Sequence, residues 1–315
     1  MPYILLLLTS FISALILIPL LIKIGVKHNL YDKPGGDPLK IHEKPIPFLG
    51  GIGMFLALAI SIGVIASSWH LPLHKSKLIV IISSALFFLL LGFLDDVIQE
   101  RTKISQPKLK FYAQVILAVL ITFLFMLTDI KAKFIPIILF EILIVFFYIL
   151  CAINAVNLED GLDSLAGGLV AISLIGFIIL SLAAYNTLFL VLSVSLLGAL
   201  IGFLIYNWHP ASIFMGDGGS YFLGFFLAVF AINFTNRPHD LRAFLGPILI
   251  IGIPFFDTAF VAVTRILRKQ SIFFGDRNHL YDKIYKRSNS VVKTIFIYYS
   301  IQGLIVSLGV FVYLI

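Results

Sequence analysis

Carboxylates in twos and threes, set beside amides and glycines and away from any base, are the groups of this chain best placed to do chemistry. Asp95 and Asp96 stand together at the end of an apolar run, in LGFLDDVIQ. Glu159, Asp160 and Asp163 fall within five residues in NAVNLEDGLDSLAGG, with Asn154 and Asn157 just before them. Asp217 sits among Gly216, Gly218 and Gly219 in NWHPASIFMGDGGS, and Arg277 and His279 are flanked by Asp276 and Asp282. Adjacent carboxylates repel one another and resist desolvation, so they call for a cation or a proton. An oxygen-rich, base-free loop suits a hard divalent ion, Mg²⁺ with Mn²⁺ as the alternative, far better than Zn²⁺. An EF-hand loop is excluded by the acid spacing and the glycine position. Glycines around Asp217 let backbone approach a phosphate or a metal, with Ser220 able to cap the following helix. Arginine suits bidentate phosphate contact, and histidine suits proton transfer near neutral pH.

The elements that must hold these groups are membrane helices. A mean hydropathy of +1.06 with 12% charged residues excludes an ordinary soluble domain. Ten apolar stretches, at 3–22, 48–68, 78–94, 111–128, 134–152, 165–184, 187–206, 220–235, 243–264 and 294–314, are each about long enough to cross a ~30 Å hydrocarbon core. The expectation is an all-α integral membrane protein of about ten transmembrane helices, a single polytopic domain over 1–315 with five cytoplasmic loops forming the site. The loops after spans one, three, five, seven and nine hold 17 of the 23 Lys and Arg residues, so those loops face the cytoplasm and both termini lie outside. The acidic clusters occupy the same five loops, so charge bias and acid placement agree on one working face. The first span reads as a retained helix rather than a signal peptide. Cys151, the single cysteine, lies in an apolar run and reads as a packing residue, which excludes disulfides and thiolate metal sites. Net charge of +7 concentrated in these loops fits membrane lipids or an anionic substrate, not nucleic acid.

Each motif also has a plainer explanation. Lys33, Lys40 and Lys44 in the first inner loop suit topology and lipid headgroups as well as a bound anion. Gly50, Gly51 and Gly53 suit close helix packing. Pro254 is expected to kink the helix that carries Asp257. What lifts the acidic loops above mere polar turns is their convergence. Paired carboxylates, a magnesium-suited cluster, phosphate-tolerant glycines, Arg and His at a membrane boundary suit joining a nucleotide diphosphate to a lipid phosphate, where the repulsion of two anions must first be suppressed.

In this order and on one face, LDDVIQ, NAVNLEDGLD and the Asn207 to Asp217 segment resemble the polyprenyl-phosphate N-acetylhexosamine-1-phosphate transferases. That superfamily initiates O-antigen, capsule and teichoic acid synthesis and includes the muramoyl-pentapeptide translocase. The resemblance runs from KIHEKPIPFLGG through the fifth inner loop. It implies transfer of sugar 1-phosphate from a UDP-N-acetylhexosamine to undecaprenyl phosphate with release of UMP, in the bacterial cytoplasmic membrane, with Mg²⁺ as cofactor and a homodimer as an allowed assembly. It further implies that Asp95 and Asp96 act at the lipid phosphate, with Asp96 and Asp217 on the metal. Asp160 and Asp163 would lie near the uridine, Asn154, Asn157 and Asn207 would shape its site, and Phe214 would stack on uracil. Lys44, Lys110 and Arg277 would contact substrate, and His279 would join the catalytic group. Gln114 and Asp257 match further positions of the pattern.

Two departures touch substrate choice. Phe48 stands where many relatives carry arginine, and His279, Leu280, Tyr281, Asp282 replaces a His-x-His-His cluster. The muramoyl-pentapeptide phosphotransferase of peptidoglycan synthesis is the nearer alternative. A cation-coupled secondary transporter is the alternative from another class, and it would place its acids mid-span and show related halves.

Overall fold

In the computed structural model, which describes residues 2–34, 44–68, 74–102, 106–269 and 279–315, the apolar stretches form helices. In chain order these are α1 (Pro2–Lys27), α2 (Gly50–Ser68), α3 (Lys75–Thr102), α4 (Pro107–Leu127), α5 (Ile138–Glu159), α6 (Leu165–Ala183) and α7 (Thr187–Asn207). They continue with α8 (Gly216–Phe234), α9 (Leu241–Ile251), α10 (Ile253–Leu267), α11 (Leu280–Ser288) and α12 (Val291–Leu314). The only strands among the described residues, β1 (Tyr31–Asp32) and β2 (Ile46–Pro47), form one short antiparallel pair at the foot of α1.

Eight of these helices are long and apolar enough to span a bilayer, and α2 is shorter. The protein is an all-α, multi-pass membrane protein. At its centre stands α8, whose side chains from Gly218 to Ile232 are buried on every face, including Phe222, Phe225, Phe226 and Phe230. A helix that is apolar all round is stable only when other helices surround it. Around α8 stand α3, α5, α2, α9 and α6, while α1 packs on α7. Outer helices such as α4 turn Ile116, Val119, Phe123 and Leu127 outward, as a lipid-facing surface requires.

The ninth apolar stretch departs from expectation. Rather than a helix kinked at Pro254, α9 and α10 meet at 88°. The break falls at Gly252, whose φ of +68° is open to glycine and strained for other residues. Pro254 instead occupies the first turn of α10, where a missing N–H costs nothing. Backbone groups freed at the break are satisfied by Gln302 of α12. Its Oε1 accepts from Ile253 N at 2.8 Å, and its Nε2 donates to Ile251 O at 3.1 Å and to Ser173 Oγ at 2.9 Å.

Candidate active site

The site forms where α3 and α5 end and α4 and α8 begin. Lys110, in the first turn of α4, reaches across to two acids. Its Nζ bonds directly to Asp217 Oδ2 and lies 3.5 Å from Asp95 Oδ2, with the ring of Tyr221 at 5.4 Å from the ammonium. Asn157, on α5, donates to the other oxygen of Asp217 at 2.7 Å and to Ser220 Oγ at 3.0 Å. Asp96 completes the group, its Oδ2 3.5 Å from the N–H of Gly218.

This geometry depends on where α8 begins. The helix starts at Gly216, so Asp217 lies in its first turn and Ser220 one turn further on, where it donates to Asp217 O at 3.0 Å instead of capping the helix. A carboxylate in a first turn is favoured by the helix dipole. Gly92 of α3 allows the approach, because a Cβ there would strike the backbone of Asp217 and Gly218. The loop before α8 is fixed from the other side, where Phe214 N donates to Pro47 O at 2.8 Å and Gly50 N donates to Phe214 O at 2.9 Å.

The loop after α5 is joined to the loop after α7. Asn207 is buried, and its Oδ1 accepts from Ser164 N at 2.9 Å while its Nδ2 donates to Ile213 O at 2.8 Å. Its amide therefore braces two loops from within. Asp163 makes a parallel link, 2.7 Å from His209 Nδ1 and accepting from Ala211 N at 3.1 Å. Asn154 donates to Gln114 Oε1 at 3.0 Å, tying α5 to α4. Asp160 ends α5, and burial together with the charges of Asp217 and Asp163 pushes its carboxyl up to about 8.

Of the residues singled out in sequence, Asp95, Asp96, Lys110, Asn157 and Asp217 come together directly, and Asp160 lies in their field. Phe214 is half-buried beside Asp217, and Lys44 is exposed at the entry to β2. His279 is buried in a neighbouring group with Asp257 and Glu159. Arg277 lies outside the described residues, as do Lys40 and Asp276. Sequence reasoning missed His209 and Tyr221; neither stands beside an acid in the chain, so only the folded structure gives them partners.

The donor set suits a hard divalent ion. Asp95, Asp96 and Asp217 set three carboxyl groups against the single ammonium of Lys110 among the described residues, a balance that calls for a further cation or for protons. Carboxylate and amide oxygens at one helix end are the ligands such an ion prefers.

The glycosyl transferase family 4 model matches residues 78–235, which carry Asp95 through Asp217, and the chain belongs to that family. It is 32% identical over 280 residues to a probable undecaprenyl-phosphate N-acetylglucosaminyl 1-phosphate transferase of Bacillus subtilis, covering 87% of this chain and 75% of the relative. It is similar also to phospho-N-acetylmuramoyl-pentapeptide-transferases, 34% identical to that of Lactobacillus johnsonii (84% of this chain, 83% of the relative) and 30% identical to that of Bacillus subtilis (78% of each).

Proposed function

We propose that the protein transfers N-acetylhexosamine 1-phosphate from a UDP-sugar to undecaprenyl phosphate at the cytoplasmic face of a bacterial membrane, releasing UMP. The product would open assembly of a polymer of the O-antigen, capsule or teichoic acid kind. The observation that carries this reading is the group of three carboxylates, one ammonium and one amide at a single end of the helix bundle, spanning the two ends of the family match.

An oxygen of the lipid phosphate attacks the phosphorus that bears the sugar. A phosphorus–oxygen bond forms there, the bond to the UMP phosphate breaks, and UMP departs with that electron pair. Mg²⁺ held by Asp217 and Asp96 would neutralise the diphosphate and ease departure of UMP. Asp95 faces the acceptor phosphate and takes any proton it carries. Lys110 holds Asp95 and Asp217 at a fixed separation and lends positive charge to the reacting phosphates. Asn157 fixes the rotamer of Asp217. Asp160 and Asn154 frame the nucleoside and Phe214 offers a stacking face, while Asp163 and Asn207 act through the loops they join. Lys44 and Arg277 supply the remaining phosphate contacts. Acids at helix ends rather than mid-span weigh against a cation-coupled carrier.

The test is UMP release by the purified protein in detergent with Mg²⁺, undecaprenyl phosphate and a panel of UDP-N-acetylhexosamines, 6-deoxy donors and UDP-muramoyl-pentapeptide. Release that requires the lipid phosphate and one donor supports the reading and names the sugar. Release with the muramoyl donor alone moves the protein to peptidoglycan synthesis, and silence across the panel refutes the transferase chemistry proposed.

A further inference from the structure

Two residues beyond Asn157, α5 carries an acid that the transferase chemistry does not use. Glu159 is 0% exposed, no donor among the described residues meets its carboxyl oxygens, and the group they do meet is the carboxyl of Asp257. It faces Asp257 of α10 and His279 at the start of α11, both buried. One ligand atom from each of the three lies within 4.8 Å of the others. Asp257 is itself anchored, with Oδ2 2.8 Å from His279 Nδ1 and Oδ1 accepting from Leu280 N at 3.2 Å. Tyr298 of α12, whose hydroxyl is also buried without a partner, lies near enough to feel the charges of Glu159 and Asp257.

A buried carboxyl that meets another carboxyl and no donor is costly unless a proton or a cation lies between them. A divalent ion relieves both, because two carboxylates and a neutral imidazole balance its charge and fill three coordination positions. Ligand atoms around a tetrahedral ion at about 2.1 Å stand roughly 3.4 Å apart, so the widest of these separations needs to close by about 1.4 Å at most. The imidazole distinguishes this donor set from the all-oxygen group at Asp217 and favours a borderline first-row ion.

We propose that Glu159, Asp257 and His279 form a second, structural cation site, selective for Zn²⁺ over Mg²⁺, which ties the break-proximal end of α10 and the start of α11 to α5. The site stands whether or not the transferase reading holds.

Zinc binding to the full-length protein in detergent, stripped with chelator and read by elemental analysis after desalting, tests it. Asp217→Asn should retain one tightly held zinc per chain and Glu159→Gln should lose it. Zinc should also raise the unfolding temperature of Asp217→Asn but leave that of Glu159→Gln unmoved. Should Glu159→Gln fail to fold, Co²⁺ added to Asp217→Asn reads the same site through the visible absorption of a nitrogen-ligated ion. Asp217→Asn that binds no zinc and gives no cobalt spectrum, or Glu159→Gln that holds as much zinc as wild type, overturns the proposal in favour of a proton shared between Glu159 and Asp257.

Discussion

Replacing Lys110 by Met tests the charge balance of the site, because it removes the one ammonium seen among three carboxylates while keeping the apolar stem. At 3.5 Å, and with an effective dielectric of about 20, the attraction to Asp95 alone is worth about 5 kcal/mol before desolvation is counted. Removing one member of a largely buried pair costs about 3–5 kcal/mol, since the stranded charge stays behind. At about 2 °C per kcal/mol for a chain of this size, thermal unfolding of metal-free Lys110→Met should fall by roughly 6–10 °C. The double variant Lys110→Met/Asp217→Asn should recover much of the loss, because the stranded charge goes too, and saturating Mg²⁺ should stabilise Lys110→Met more than wild type. An unfolding temperature equal to wild type, or losses that add in the double variant, would refute the argument that one cation offsets these acids.

Gln302→Leu should strip the α9–α10 break of its partners and lower stability by about 2–6 kcal/mol, at about 1–3 for each of the two orphaned buried groups, with KM for the donor little changed. Gly92→Val should push α3 from the start of α8 and abolish UMP release without unfolding the bundle, which circular dichroism and the release assay together would read. Asp160 is protonated below about 8 in the metal-free protein. A divalent ion near Asp217 favours its ionised form, so ion binding releases a proton and calorimetry should find affinity rising as pH climbs toward about 8. Asp160→Asn should make that rise shallower. The same elevated carboxyl means that, without the ion, stability falls as pH climbs from the ordinary carboxylate range to about 8.

Hydropathy alone placed nine of the ten stretches, because an apolar run of about twenty residues leaves a membrane chain little choice but helix. The α9–α10 break escaped it, since GPILIIGIP is apolar throughout and window averages do not register a glycine with positive φ. The start of α8 was also misplaced, because glycines read as loop. Asp95, Asp96, Asn157 and Asp217 were legible, as local clusters of rare polar residues. The grouping of Glu159 with Asp257 and His279 was not, since the partners are about a hundred residues apart and only the packing of α10 and α12 on α5 and α6 joins them.

The brace formed by Asn207, Ser164 and Ile213, together with the Asp163–His209 link, turns two loops from distant parts of the chain into one preassembled edge. Loops that close around a ligand lose freedom at the moment of binding, and affinity falls accordingly. Here that loss is taken once, during folding. On the proposed function, a nucleotide arriving at this edge would meet a surface already assembled, with a modest entropic penalty and an association rate governed by diffusion and charge rather than by rearrangement.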